Sequence, residues 1–194
     1  MTAFVLGNGR SRENIDFDTL MLLGDVYGCN ALYRTHTPTV LVATDAPIAK
    51  AIQESGYSQT NRFYTRKPLP NSGAQIVPRP YYGYSSGPAA TGIAALDGHS
   101  IIYLIGFDLG PLPGNQFNNL YADTEFYKPS IASPTFTGNW VRQLSSIIQE
   151  FKDRRFIRVH GDCTAEIEDF RKLPNLEKMD LDQFLHRINT SKDL

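Results

Sequence analysis

Cysteine is nearly missing from this sequence: Cys29 and Cys163 are the only two among 194 residues. Two cysteines make no disulfide framework and cannot complete a four-cysteine zinc site, so they read as a buried pair of free thiols. Nor do histidines and carboxylates fall at metal-ligand spacing, and no metal or other cofactor is expected. An excess of one charge is also lacking. The formal net charge is −1 and no basic tract occurs, which removes the electrostatic footprint of a nucleic-acid reader. No apolar run approaches the about 20 residues that a membrane span requires. The N-terminus lacks a positive segment followed by an apolar core, so no signal peptide is expected and a cytoplasmic location is. A Gly-x-Ser-x-Gly elbow and a Walker loop are likewise absent.

What remains is an ordinary globular composition, 41% hydrophobic and 20% charged. The length suits one full α/β domain over residues 1–194 and is short for two. Strand and helix patterns alternate. Ala3–Leu6 reads as a strand, 17–23 as a short helix introduced by Asp16 and Asp18, and 26–32 as a second strand. Thr39–Ala43 is a β-branched run of the kind found in buried parallel strands. Asp45, Pro47 and Gly56 then delimit a helix by cap, first-turn proline and C-terminal glycine. Residues 66–84 read as a loop around a short strand at 74–77, and 88–96 as a close-packed helix of small residues. The run 101–105 is the most hydrophobic strand and reads as central. Residues 110–134 are irregular and long enough to suggest a lid. Trp140, Val141, Leu144, Ile147, Ile148 and Phe151 recur at helical spacing, 156–159 reads as a strand, and residues 174–194 form an expected helical tail with Leu181, Phe184, Leu185 and Ile188 on its apolar side.

This alternation implies a single, mostly parallel, doubly wound sheet with helices on both faces. Such folds bind ligands beyond the carboxyl ends of their strands, where strand order switches. Asn8, Asn30, Asp45, Asp108 and His160 each lie just past a strand. The most informative stretch is Gly7-Asn8-Gly9-Arg10-Ser11. A strand ending in Gly-Asn-Gly exposes backbone N–H groups in a turn that a phosphate or ribose can approach closely. A second such place is Ser85-Ser86-Gly87-Pro88, opening a helix. Each has a plainer reading beside it: strand–helix turn for Gly7–Ser11, helix caps for Asp45 and Ser86–Pro88, a turn-forming side chain for Asn30, and a structural histidine for His160. Tyr81, Tyr82 and Tyr84 beside Arg79 read either as loop packing or as a stacking patch.

Four blocks resemble the bacterial lipooligosaccharide sialyltransferase family, and more loosely the motility-associated glycosyltransferase and pterin pyrophosphokinase-like group. They are Gly7-Asn8-Gly9-Arg10-Ser11 with Ile15-Asp16, then Cys29-Asn30, then Ser86-Gly87 with Ile102-Tyr103-Leu104-Ile105-Gly106-Phe107-Asp108, and last the helix–strand near 139–160. The resemblance implies a Rossmann-like fold and a nucleotide-activated sugar donor. By it, Asn8, Gly9 and Asn30 would face the donor's phosphate and sugar; Gly7, Ser11 and Asp45 are further candidate substrate contacts. Ser86 and Gly87 would hold its phosphate at a helix N-terminus. Asp108 would sit near ribose or acceptor, and Tyr121 or Tyr127 would steady the leaving phosphate. Two departures stand out: Arg10 replaces a proline, and residues 133–139 lack the family's histidine base. A positioned base contributes about 10²–10⁴-fold in rate, so true sialyl transfer is not expected, and His160 or Asp108 would have to activate the acceptor. The alternative is a non-catalytic binding or structural protein that keeps the fold, with residues 81–84 and 110–134 resting on another subunit of a homo-oligomer or larger assembly. Pyrophosphoryl transfer with Mg²⁺ on Asp45 and Asp108 ranks third.

Overall fold

The structure is a computed structural model and describes residues 1–190. Eight strands form one sheet: β1 (Thr2–Leu6), β2 (Asp25–Cys29), β3 (Val40–Val42), β4 (Phe63–Thr65), β5 (Gln75–Ile76), β6 (Ile101–Ile105), β7 (Arg155–His160) and β8 (Leu176–Asp180). Six α-helices accompany them: α1 (Phe17–Leu23), α2 (Ala46–Glu54), α3 (Tyr57–Thr60), α4 (Ser86–Leu96), α5 (Gly138–Glu150) and α6 (Leu181–Thr190). Every pairing is parallel, in the order β5-β4-β3-β2-β1-β6-β7-β8. The sheet is thus wholly parallel rather than mostly so. The chain builds outward from β1 to β5, then returns to the other side of β1 for β6 to β8. The order therefore reverses between β1 and β6.

Two-residue alternation sends β1 to both layers. Ala3 and Val5 join Ile102 and Leu104 of β6 against α4 and α5, where Ala89, Ala90, Ile93, Leu144 and Ile147 are buried. Phe4 and Leu6 join Tyr103 and Ile105 against α1, α2 and α6, through Leu20, Ile48, Ile52, Phe184 and Ile188. Each such side chain, fully buried, contributes about 1.5–3 kcal/mol. Burial on both faces is why these strands read as continuous apolar runs.

Several boundaries differ from expectation. The second strand stops at Cys29, because Asn30 turns into the left-handed region (φ 53) and opens a 3-10 turn over Asn30–Arg34. β4 is only three residues long and carried no usable pattern. The expected helical tail is corrected over 176–180, which pair with β7 as an edge strand; its Leu-Glu-Lys-Met-Asp sequence buries only Met179 well and so lacks a strand's apolar signature. Helix α6 follows with Phe184 and Ile188 buried as expected, and residues 191–194 of that tail lie outside the described residues. Among the described residues no helix is long and apolar enough to cross a membrane.

Candidate functional site

The turns after β1 and β6 lie back to back at the point where strand order reverses. Gly7 N–H donates to Ile105 O at 2.7 Å and Gly9 N–H to Gly106 O at 2.9 Å. A Cβ on Gly7 would stand 2.6 Å from Gly106 O, and one on Gly9 would overlap the Asp108 carboxylate. Gly106 itself has φ +73. The glycines of the first motif therefore let two main chains meet, the same closeness that opens the backbone to a ligand.

A cleft of about 360 Å³ lies over this junction. Gly7, Asn8, Gly9, Asn30, Asp45, Ser86, Gly87 and Asp108 all line it, so the structure brings together eight of the eleven residues singled out from the sequence. Two helices begin at its wall: α4, with Ser85–Pro88 on the cleft, and α5, with Thr137 and Trp140 there. Neither has a side chain capping its N-terminus or an acidic residue in its first turn. Their unsatisfied N–H groups and dipoles both raise the positive potential of the cleft. Among the described residues no lysine, arginine or histidine lines it, and Asp45 and Asp108 are its carboxylates.

Local bonding aims the polar side chains. Ser86 Oγ accepts from Thr44 N–H at 3.0 Å and donates to Asn30 Oδ1 at 2.9 Å. Asn30 thus presents its Nδ2, which has no partner among the described residues. Arg12 Nη2 donates to Asn8 Oδ1 at 3.2 Å, fixing that amide the same way, and Arg12 Nε donates to Gly7 O.

Asp108 is buried, 3% exposed, and its carboxylate is a junction. It accepts from Ser11 N–H and Oγ, from Asn118 Nδ2 at 3.1 Å, from Thr164 Oγ1 at 2.9 Å and from Cys163 Sγ at 3.3 Å. Five donors from three chain segments occupy it, leaving little of it for a proton or a cation. Beneath it lies a residue that the sequence reading missed. Arg158 is buried in β7 and donates to the carbonyls of Phe107, Asp108 and Ala165 at 2.8–3.2 Å. Burial lowers its pKa to about 10, partly offset by Asp108 and Glu166. The available signal was an arginine inside the apolar run Phe156–Val159.

The other three residues lie off the cleft lining. Ser11 faces Asp108. Tyr121 accepts from Arg12 Nη2 at 3.2 Å and packs against Tyr127 at 5.6 Å between ring centres, while Tyr127 Oη accepts from Ala31 N–H. His160 ends β7 with Nδ1 3.7 Å from Glu166 Oε1; burial first, then Arg158 and Lys178, hold its pKa near 4. His99, in the loop between α4 and β6, is buried and meets Tyr27 Oη at 3.0 Å and Asp25 Oδ2 at 3.2 Å. Tyr81 is buried with its hydroxyl on Glu150, and its ring packs on Tyr84, as loop packing would have it. The thiols are free, Cys29 buried and Cys163 half-buried; burial raises them to about 12 and 11.

The segment 110–134 is irregular apart from one bridge between Leu112 and Gln116. It is fastened to the turn after β1 by Leu120 N–H on Asn8 O and by Arg10 N–H on Asn118 Oδ1, and to the 3-10 turn after β2 by Arg34 on Thr124 and Glu125.

A wholly parallel sheet with helices on both faces and a cleft at the reversal defines a Rossmann-like α/β fold. No family model matches the chain, and no curated protein matches it. Among solved structures, the MAf glycosyltransferase from Magnetospirillum magneticum AMB-1 is similar, with a TM-score of 0.51 and 17% identity over 92% of this chain and 33% of that one. The likeness is one of fold alone, and this chain spans about a third of that protein's length.

Proposed function

We propose that the cleft binds a nucleotide-activated sugar and that this chain is a glycosyltransferase-like protein. One observation carries the reading: two uncapped helix N-termini and the fixed amides of Asn8 and Asn30 converge at the sheet's reversal point. The donor phosphate sits on the first-turn amides of α4, where a developing negative charge on a leaving phosphate is stabilised without reorganisation. Asn8 and Asn30 donate to hydroxyls of the ribose or sugar. Asp108 positions loops rather than moving protons, since its oxygens are occupied. Asp45 is the lining carboxylate with no hydrogen-bond or ion-pair partner among the described residues, and it takes the proton from the acceptor hydroxyl. The fold neighbour, itself a glycosyltransferase by name, supports the assignment.

A second reading, a binding protein without chemistry, is favoured by the saturation of Asp108 together with His160 lying off the cleft lining. Both readings require nucleotide binding, and hydrolysis or transfer of the bound sugar separates them. The test is thermal denaturation with cytidine, uridine, guanosine and adenosine mono- and diphosphates and their sugar conjugates. Ligand at a hundredfold its Kd stabilises by about 2.7 kcal/mol, or about 5–10 °C for a chain of this size. Asn8→Asp keeps the side chain's shape and its bond to Arg12 but adds negative charge, so it should abolish the shift without altering the unliganded Tm. Absence of a shift with every compound would contradict the proposal.

A further inference from the structure

Trp140 is the sole tryptophan of the chain, and its spacing assigns it to the buried side of its helix. The structure instead leaves it half-buried in the first turn of α5, packed on the core at one side and lining the cleft at the other. Among the described residues it stacks on no other ring, whereas Tyr121 and Tyr127 stack on each other. Its indole N–H donates to no protein group there. Its position is fixed by its neighbour one turn on, since Gln143 Oε1 accepts from Ser85 N–H at 2.9 Å and ties α5 to the N-cap of α4. Residues three apart share a helix face, so the indole stands beside the anion-binding end of α4. Phe117 and Pro134 add apolar lining to the same cleft, whose polar lining includes Asn8, Asn30 and Ser86.

We propose that Trp140 is the stacking platform for the nucleobase: the phosphate lies at the start of α4 and the planar base lies against the indole. The inference rests on the nucleotide reading above and adds what that reading leaves open, namely which group receives the base. Stacking accepts any π-face. Trp140 therefore separates nucleotides from base-free sugar phosphates rather than one base from another.

The experiment follows Trp140 fluorescence and binding heat in parallel on the full chain, with the nucleotide that stabilises it most, with ribose 5-phosphate and with inorganic phosphate. Quenching should track the heat of nucleotide binding and be absent with the two base-free probes. Trp140→Ala should weaken the nucleotide about tenfold or more while leaving inorganic phosphate unchanged, and Trp140→Phe should restore most of the loss. Trp140→Leu, which keeps an apolar side chain without a π-face, should lose the nucleotide likewise and serves if the alanine variant fails to fold. Nucleotide heat with unchanged fluorescence, or with unchanged affinity in Trp140→Phe and Trp140→Ala alike, would overturn the stacking role and leave the nucleotide site standing. No nucleotide heat in the wild type would overturn both.

Discussion

At Asp108, a carboxylate just beyond a central strand, five donors from residues 11, 118, 163 and 164 meet on two oxygens. Hydrogen bonds to a charged group contribute about 1.5–3 kcal/mol each, and orphaning buried donors costs a similar amount. Asp108→Ala should therefore destabilise the protein by at least about 3 kcal/mol, seen in urea titration, and make residues 110–134 the first site of limited proteolysis. Equal stability and an uncut segment would contradict the junction role. His160 provides a pH prediction. Its folded pKa, about 4, lies below its ordinary 6.5. Between those values the unfolded chain binds a proton that the folded chain does not, so stability rises with pH across the window and is lost as pH falls through it. His160→Gln should flatten the difference in unfolding free energy between about pH 5 and about pH 7; an unchanged slope would place the acid sensitivity elsewhere. Of these residues Asp108 was legible, because a strand-end acid after the run Ile101–Ile105 is conspicuous. Its donors were not, since they come from loops far apart in sequence. Arg158 was hidden by the apolar residues around it, and Trp140 by a helical period that does not say what its face meets.

Helix α4 shows why small residues cluster before the central strand. It crosses β1, β2, β3 and β6, and Ala89, Ala90, Ile93, Ala94 and Ala95 are all buried against them. A Cβ on Gly92 would stand 2.5 Å from the Tyr81 ring. Gly92→Ala should thus be destabilising by about 1–3 kcal/mol despite alanine's better helix propensity; thermal denaturation checks the sign, and a stabilised variant would mean that Tyr81 moves aside. The same close packing holds the α4 N-terminus over the glycine turns. Elements with a strong period or clear caps, α1, α2, α5 and β6, were legible because local chemistry decides them. β4 and β8 were not: one is three residues long, the other is a polar edge whose pairing with β7 comes from tertiary context.

For the whole molecule, the decisive feature is the reversal of strand order between β1 and β6. Sequence alternation implied a parallel sheet, but no local signal says which strands become neighbours. Gly7–Ser11 and Ser85–Pro88 pointed to a site, and only the sheet order sets the first of them against the turn after β6, with the N-termini of α4 and α5 on the same cleft. The central claim is that this junction is the ligand site, and amide chemical-shift mapping of the labelled chain with a nucleotide tests it most directly. The account predicts the largest shifts at Gly7–Gly9, Asn30, Ser86–Gly87 and the first turn of α5 around Trp140. Shifts confined to a different surface, such as α6, or none at saturating nucleotide, would contradict it.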